Sequence, residues 1–256
     1  MNEPSTRNST SRPYLIFDAG GTLVFPHPRM LCEVAADADF HVEPHRVMRE
    51  TSRILFKFDN YVRRQRRWRP LRLQEFVRQL FRALGVVEHE VDALVGYALE
   101  LDRTLNLWTF TLPFVPQTLD RLRRSGYAMS VISNADGRVA QMLRELELAD
   151  YFEAIFDSAV VGIEKPDPGI FRYALAQLDV KPERVIYIGD VFFLDVWGAN
   201  RAHAPALHLD PCGFYRKWPG VHIPDISVLP EWLQSHARNP NGYDLMPARD
   251  FELKQD

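Results

Sequence analysis

The sequence predicts an α/β fold: a parallel sheet covered on both faces by helices, with an all-helical module inserted after the first strand. Three observations carry this. Short apolar runs alternate with helical periods through most of residues 118–234. Residues 27–108 break that alternation, with long helical periods and no strand-like segment. Three of the apolar runs end on polar groups, at Asp18, Ser133-Asn134 and Gly189-Asp190, where open parallel sheets bind their ligands.

Along the chain, Tyr14-Leu15-Ile16-Phe17 ends at Asp18 and is followed by Gly20-Gly21-Thr22, a buried strand entering a tight loop. In the inserted stretch, Leu71, Leu73, Phe76, Val77, Leu80, Phe81 and Leu84 mark a helix that Gly85 stops. Helix is then expected over 118–124, 138–148, 168–178 (with Pro168 in its first turn), 192–201 and 227–234. Strands are expected over 127–132, 154–157, 184–188 and 206–209. The organisation read from this is a disordered tail over 1–12, a core over 13–26 and 109–234, a helical cap over 27–108, and a loose tail over 235–256. The cap leaves the core just after Asp18, so it is positioned to cover the cleft.

Of the 256 residues, 46% are hydrophobic and 25% charged, as in ordinary globular proteins. A net charge of −3 argues against nucleic acid as the main partner. No apolar run reaches membrane-spanning length, and residues 1–12 lack the apolar stretch of a signal peptide. The two cysteines, Cys32 and Cys212, match no zinc or redox spacing. A cytoplasmic location is expected. Oligomeric state is not readable.

The chemistry lies at the strand ends. Asp18, Asp190 and Asp195 form an oxygen-rich set suited to a hard cation such as Mg²⁺. The Ser133 hydroxyl and nearby backbone N–H groups suit phosphoryl oxygens, and Lys165, beside Pro166, supplies fixed positive charge. Alone, each reads as a helix cap, a turn residue or a surface lysine. Four such signals, each at or beside a strand end, point to one site.

These residues resemble the motifs of the haloacid dehalogenase superfamily over nearly the whole chain. Phe17-Asp18-Ala19-Gly20-Gly21-Thr22-Leu23 is similar to motif one and Val131-Ile132-Ser133-Asn134 to motif two. Lys165-Pro166-Asp167-Pro168-Gly169-Ile170-Phe171 is similar to motif three, and Ile188-Gly189-Asp190 with Asp195, Gly198 and Ala199 to motif four. The resemblance implies a Rossmann-like core with a helical cap between motifs one and two. It implies Asp18 as a nucleophile that forms an aspartyl-phosphate on a small phosphorylated substrate. Phosphate binding falls to Ser133, the Asn134 backbone, Gly21 and Lys165. Mg²⁺ falls to Asp18, the Gly20 carbonyl, Asp190 and Asp195.

One position departs from the pattern. Phosphatases of the family carry a second Asp two residues after the nucleophile, as general acid and base, and here that residue is Gly20. Such catalysis is typically worth about 10²–10⁴-fold, so phosphoanhydrides, acyl phosphates and aryl phosphates are favoured over sugar phosphates. Glu50, His41 and His45 of the cap are candidate replacements. The alternatives are a catalytically impaired binding or scaffold protein, or a hydrolase like the phosphonoacetaldehyde hydrolases or dehalogenases. The resemblance to phosphonoacetaldehyde hydrolases implies a cap lysine, of which Lys57 is the only candidate. The run of Arg63, Arg64, Arg66, Arg67, Arg69 and Arg72 around Trp68 is either an anion-steering patch or a solvated helix end.

Overall fold

The run Tyr14–Phe17 forms β1, buried along its whole length. The chain then builds α1 (Pro28–Ala36), α2 (Pro44–Gln65), α3 (Leu73–Leu84) and α4 (Glu88–Leu105) before α5 (Phe114–Arg124) returns it to β2 (Met129–Ser133). There follow α6 (Val139–Glu145), β3 (Ala154–Asp157), α7 (Ser158–Val161), α8 (Pro168–Leu178) and β4 (Val185–Gly189). A π-helical turn (Phe192–Trp197) runs into α9 (Gly198–Arg201), then β5 (Ala206–Leu209), β6 (His222–Ile223) and α10 (Leu229–His236). This computed structural model describes residues 12–36, 43–236, 245–248 and 251–253. No helix among them is long and apolar enough to cross a membrane.

The six strands lie in the order β3-β2-β1-β4-β5-β6, all neighbours parallel. Parallel neighbours require crossover connections, which the predicted strand–helix alternation supplies. The two-residue side-chain period of a strand sorts the core. Leu15, Phe17, Val131, Ile188 and Leu207 meet Leu119 of α5 and Leu229 of α10 on one face. Ile16, Ile132, Tyr187 and Ala206 meet Phe171 of α8 and Phe193 on the other. This is the expected α/β, Rossmann-like sheet. Helix α8 starts at Pro168, with Asp167 capping the Gly169 N–H at 2.7 Å. Gly85 ends α3 at φ +96°, in the left-handed region that favours glycine.

Three expectations need correction. β6 was not foreseen, because its two residues are too short for any periodicity to register. The helix over 192–201 opens as a π-helical turn. Of the stretch after His236, expected to be loose, the described residues 245–248 and 251–253 meet the core: Ala206 N donates to Leu245 O (2.8 Å), and Ala248 N donates to Asn200 Oδ1 (3.1 Å). Trp197 Nε1 donates to Phe251 O at 2.8 Å. Buried Asn200 and the outward backbone of β5 need hydrogen-bond partners, and this irregular segment provides them. The expected tail over 1–12 lies outside the described residues except for Arg12.

Helix α2 belongs to two cores. Its Val47 and Ile54 pack with Leu80, Phe81 and Val95 of α3 and α4, while its Phe58 and Val62 pack into the sheet-side core. Next to Phe58, fully buried Asp59 accepts the N–H groups of Phe192 (2.9 Å) and Phe193 (3.1 Å) and the Tyr215 hydroxyl (2.6 Å). Burial outweighs these donors and pushes the Asp59 carboxyl up to about 7. The folded chain therefore binds more protons than the unfolded one between about pH 4 and 7. The associated stability is full below that window and is lost as pH rises through it. In denaturant unfolding, wild type should lose ground against Asp59→Asn across that window, by at most about 1.4 kcal/mol per pH unit. A stability difference that stays flat with pH would refute this.

Candidate active site

The strand ends come together because β2, β1 and β4 are parallel and in register, Phe17 opposite both Val131 and Ile188. Asp18 follows β1, Ser133 ends β2, and Asp190 follows Gly189 at the end of β4. Carboxylate oxygens of Asp18, Asp190 and Asp195 all lie within 4.8 Å of one another. Lys165, 3% exposed, reaches in from the loop before α8. Its Nζ donates to Asp18 Oδ1 (2.5 Å), Asp195 Oδ1 (2.7 Å) and the Tyr187 hydroxyl (2.9 Å).

The loop carrying Lys165 is held by a reciprocal amide clasp: Lys165 N donates to Asn134 Oδ1 (2.7 Å), and Asn134 Nδ2 donates to Lys165 O (2.9 Å). The Asn134 side chain thus joins motifs two and three. Ser133 is buried, and its hydroxyl has no hydrogen-bond partner among the described residues, which leaves it free for a ligand.

Burial alone would lower the Lys165 ammonium, but the charges of Asp18 and Asp195 outweigh it and hold it up to about 12. Burial raises Asp18 to about 7, against the pull of Lys165, and repulsion from Asp195 adds to the rise. Asp190 is raised well above the carboxylate range by burial and then by its two acidic neighbours. With all three carboxyls ionised against one ammonium, two negative charges would be in excess, an arrangement that a divalent cation would neutralise. Asp190 Oδ1 is buried without a hydrogen-bond partner, as a ligand atom facing an ion would be. Among the described residues, no backbone N–H donates to the Gly20 carbonyl. This donor set fits a hard cation.

Two glycines are fixed by the carboxylates. Gly21 has φ +80°, and a Cβ there would stand 2.0 Å from Asp190 Oδ2. A Cβ on Gly189 would stand 2.3 Å from Asp195 Cγ. The Gly21 N–H donates to Val24 O at 2.8 Å, and the missing Cβ lets Asp190 close on the loop. Asp195 is also more committed than expected. Its Oδ1 accepts Lys165 and its Oδ2 accepts Val191 N (3.0 Å), so it orients the lysine and the Asp190 loop more than it faces an ion.

The cap candidates among the described residues do not join the site. Buried Glu50 is paired with Arg49 and Arg53. Lys57 is exposed and lines a recess with Glu50, Arg53 and Gln79. His45 is exposed, and His41 lies outside the described residues. In the arginine run, Arg63 lies over the Trp218 ring (4.7 Å), Arg69 lies over Tyr61 (4.9 Å) and also pairs with Glu75 (2.7 Å), and Arg66 donates to Glu252 O (3.3 Å). These arginines serve packing, which favours the solvated-helix-end reading.

Sequence reasoning missed Tyr187, Asp59 and Trp108. Tyr187 is fully buried in β4, and its hydroxyl also contacts Ile132 O (3.2 Å) and Asp195 Oδ1 (3.1 Å). The available signal was a polar-tipped residue inside an apolar strand.

The family model for haloacid dehalogenase-like hydrolases matches residues 14–203. The chain is 37% identical over 90 residues to a glyceraldehyde 3-phosphate phosphatase of Pyrococcus furiosus, covering 35% of this chain and 38% of that protein. It is 32% identical over 127 residues to haloacid dehalogenase-like hydrolase domain-containing protein 3 of Mus musculus, covering 50% of this chain and 51% of the relative. The matches thus span about half or less of these relatives' lengths. Among solved structures, a 2-haloacid dehalogenase from Pseudomonas syringae pv. Tomato aligns with a TM-score of 0.52 at 26% identity, over 88% of this chain and 99% of that one. Asp18, Ser133, Asn134, Lys165, Asp190 and Asp195 all fall within the span matched by the family model, and the chain belongs to the haloacid dehalogenase-like hydrolase family.

Proposed function

We propose that the protein is a Mg²⁺-dependent phosphatase that acts on a small phosphorylated substrate through an aspartyl-phosphate on Asp18. The observation that carries this reading is the convergence of Asp18, Lys165, Asp190 and the unpartnered Ser133 hydroxyl at one edge of the sheet. Relatives named as phosphatases support it. Asp18, Asp190 and the Gly20 carbonyl would hold the ion, with Asp195 behind them. When bound, a divalent cation offsets the repulsion between the phosphoryl group and the attacking carboxylate.

The chain's own groups supply the rest. An Asp18 carboxylate oxygen attacks phosphorus, and the bond from phosphorus to the leaving oxygen breaks with its electron pair on that oxygen. The Ser133 hydroxyl donates to a non-bridging oxygen, and Lys165 adds fixed positive charge. Water then attacks phosphorus, the bond to Asp18 breaks, and phosphate leaves while the water's proton passes to solvent. Gly20 offers no proton to the departing oxygen, so activated phosphates should turn over fastest.

The test is release of inorganic phosphate from acyl and aryl phosphates by the purified chain, with and without Mg²⁺. Release that needs the metal is expected. Phosphate binding with no release from any of them would overturn the enzyme reading in favour of the scaffold one.

A further inference from the structure

Position 20 is empty of side chain, but the space beside it is filled. A Cβ built on Gly20 would meet the six-membered ring of Trp108, whose three nearest atoms stand at 3.2, 3.5 and 3.6 Å. These are the nearest contacts in that direction, so an indole, and not the backbone, occupies the space. Gly20 is only two residues beyond Asp18, so the ring borders the loop that carries the proposed nucleophile.

Trp108 is held in this position by its surroundings. It lies just after α4, where the two chain crossings between cap and core pair: Phe25 N donates to Phe110 O (2.7 Å) and His27 N to Leu107 O (2.7 Å). Its backbone N–H donates to Asn106 Oδ1 (3.0 Å), and the Leu107 backbone N–H donates to Asp102 Oδ1 (3.0 Å). Arg138, from the loop after β2, donates to Asp102 O (2.9 Å) and so ties that turn to the core. The indole is partly buried, packed against the core on the α5 and α10 face of the sheet and against the cap core, so it is anchored between the two.

We infer that Trp108 is a specificity-determining residue, the wall for the leaving group, and that it selects phosphate esters of flat, aromatic alcohols. The inference rests on the phosphatase reading and names its substrate class. A phenol-type oxygen, with a pKa of about 10, departs as its anion without a donated proton, which suits a site lacking an acid at position 20. The ring of such a leaving group stacks on the indole as an aromatic pair, a contact that neither glycerol nor a small acyl group makes.

The test compares phenyl phosphate, acetyl phosphate and glycerol phosphate with Mg²⁺ in wild type, Trp108→Leu and Trp108→Phe. Binding of phenylphosphonate and methylphosphonate is measured alongside by calorimetry. Leucine keeps apolar bulk without a ring, and phenylalanine restores a ring. In wild type, kcat/KM should be far higher for phenyl than for glycerol phosphate. Trp108→Leu should lower the ratio of kcat/KM for phenyl over acetyl phosphate by roughly 3–10-fold, mainly through KM, and phenylalanine should recover most of it. Phenylphosphonate should bind more tightly than methylphosphonate, with the same dependence on the ring. Turnover of acetyl phosphate with no preference for phenyl over glycerol phosphate, or a ratio unmoved by Trp108→Leu, overturns this inference and leaves the phosphatase reading standing. No turnover together with ring-dependent phenylphosphonate binding overturns the phosphatase reading and keeps the wall.

Discussion

Replacing Asp18 with Asn is expected to abolish phosphate release without unfolding the protein. Removal of a covalent nucleophile commonly costs four or more orders of magnitude in kcat, about 5 kcal/mol or more of barrier. Stability should move the other way, or not at all. Asp18 is one of three carboxylates set against a single ammonium, and it is nearly fully buried. An amide keeps an acceptor for Lys165 while removing a carboxyl whose charged form burial already disfavours. The measurement is phosphate release at saturating Mg²⁺ with thermal unfolding of the metal-free proteins in parallel. Residual release near the wild-type rate would remove Asp18 from the chemistry, and a collapse in melting temperature would assign it a structural role.

Lys165→Met should have the opposite signature on stability. It leaves Asp18 and Asp195 buried with no compensating charge, and breaking a buried pair by removing one partner costs about 3–5 kcal/mol. It also strips Tyr187 of a hydrogen-bond donor. Activity should fall with stability. Adding Asp195→Asn to Lys165→Met should recover part of the stability but none of the activity, because it relieves repulsion without restoring the charge beside the phosphoryl group. Equilibrium unfolding in urea at neutral pH without metal measures the first effect, and phosphate release measures the second. If the single substitution leaves stability unchanged, the lysine is not compensating the carboxylates.

Asp18, Ser133, Lys165 and Asp190 were legible because each ends a strand or sits in a loop beside one, and a parallel sheet brings its strand ends to one edge whatever their separation in sequence. The expected helical cap was legible from period alone, and α1 to α4 fill that stretch. Trp108 and Asp59 were not legible for the opposite reason. The neighbour of Trp108 is a missing side chain 88 positions earlier in the chain, and Asp59 acts on backbone groups more than 130 residues away. Neither leaves a local pattern. The C-terminal segment escaped for a related reason: it meets the core through backbone groups and single side chains, which carry no periodicity.

The sharing of α2 between two hydrophobic cores has a thermodynamic consequence. Separate modules joined by linkers can melt one at a time, each at its own temperature. Here a single helix of 22 residues contributes side chains to both interiors, with Asp59 fixing its C-terminal half to the turn after β4. Fraying of either interior pulls on the other, so the two are expected to melt together as one cooperative unit.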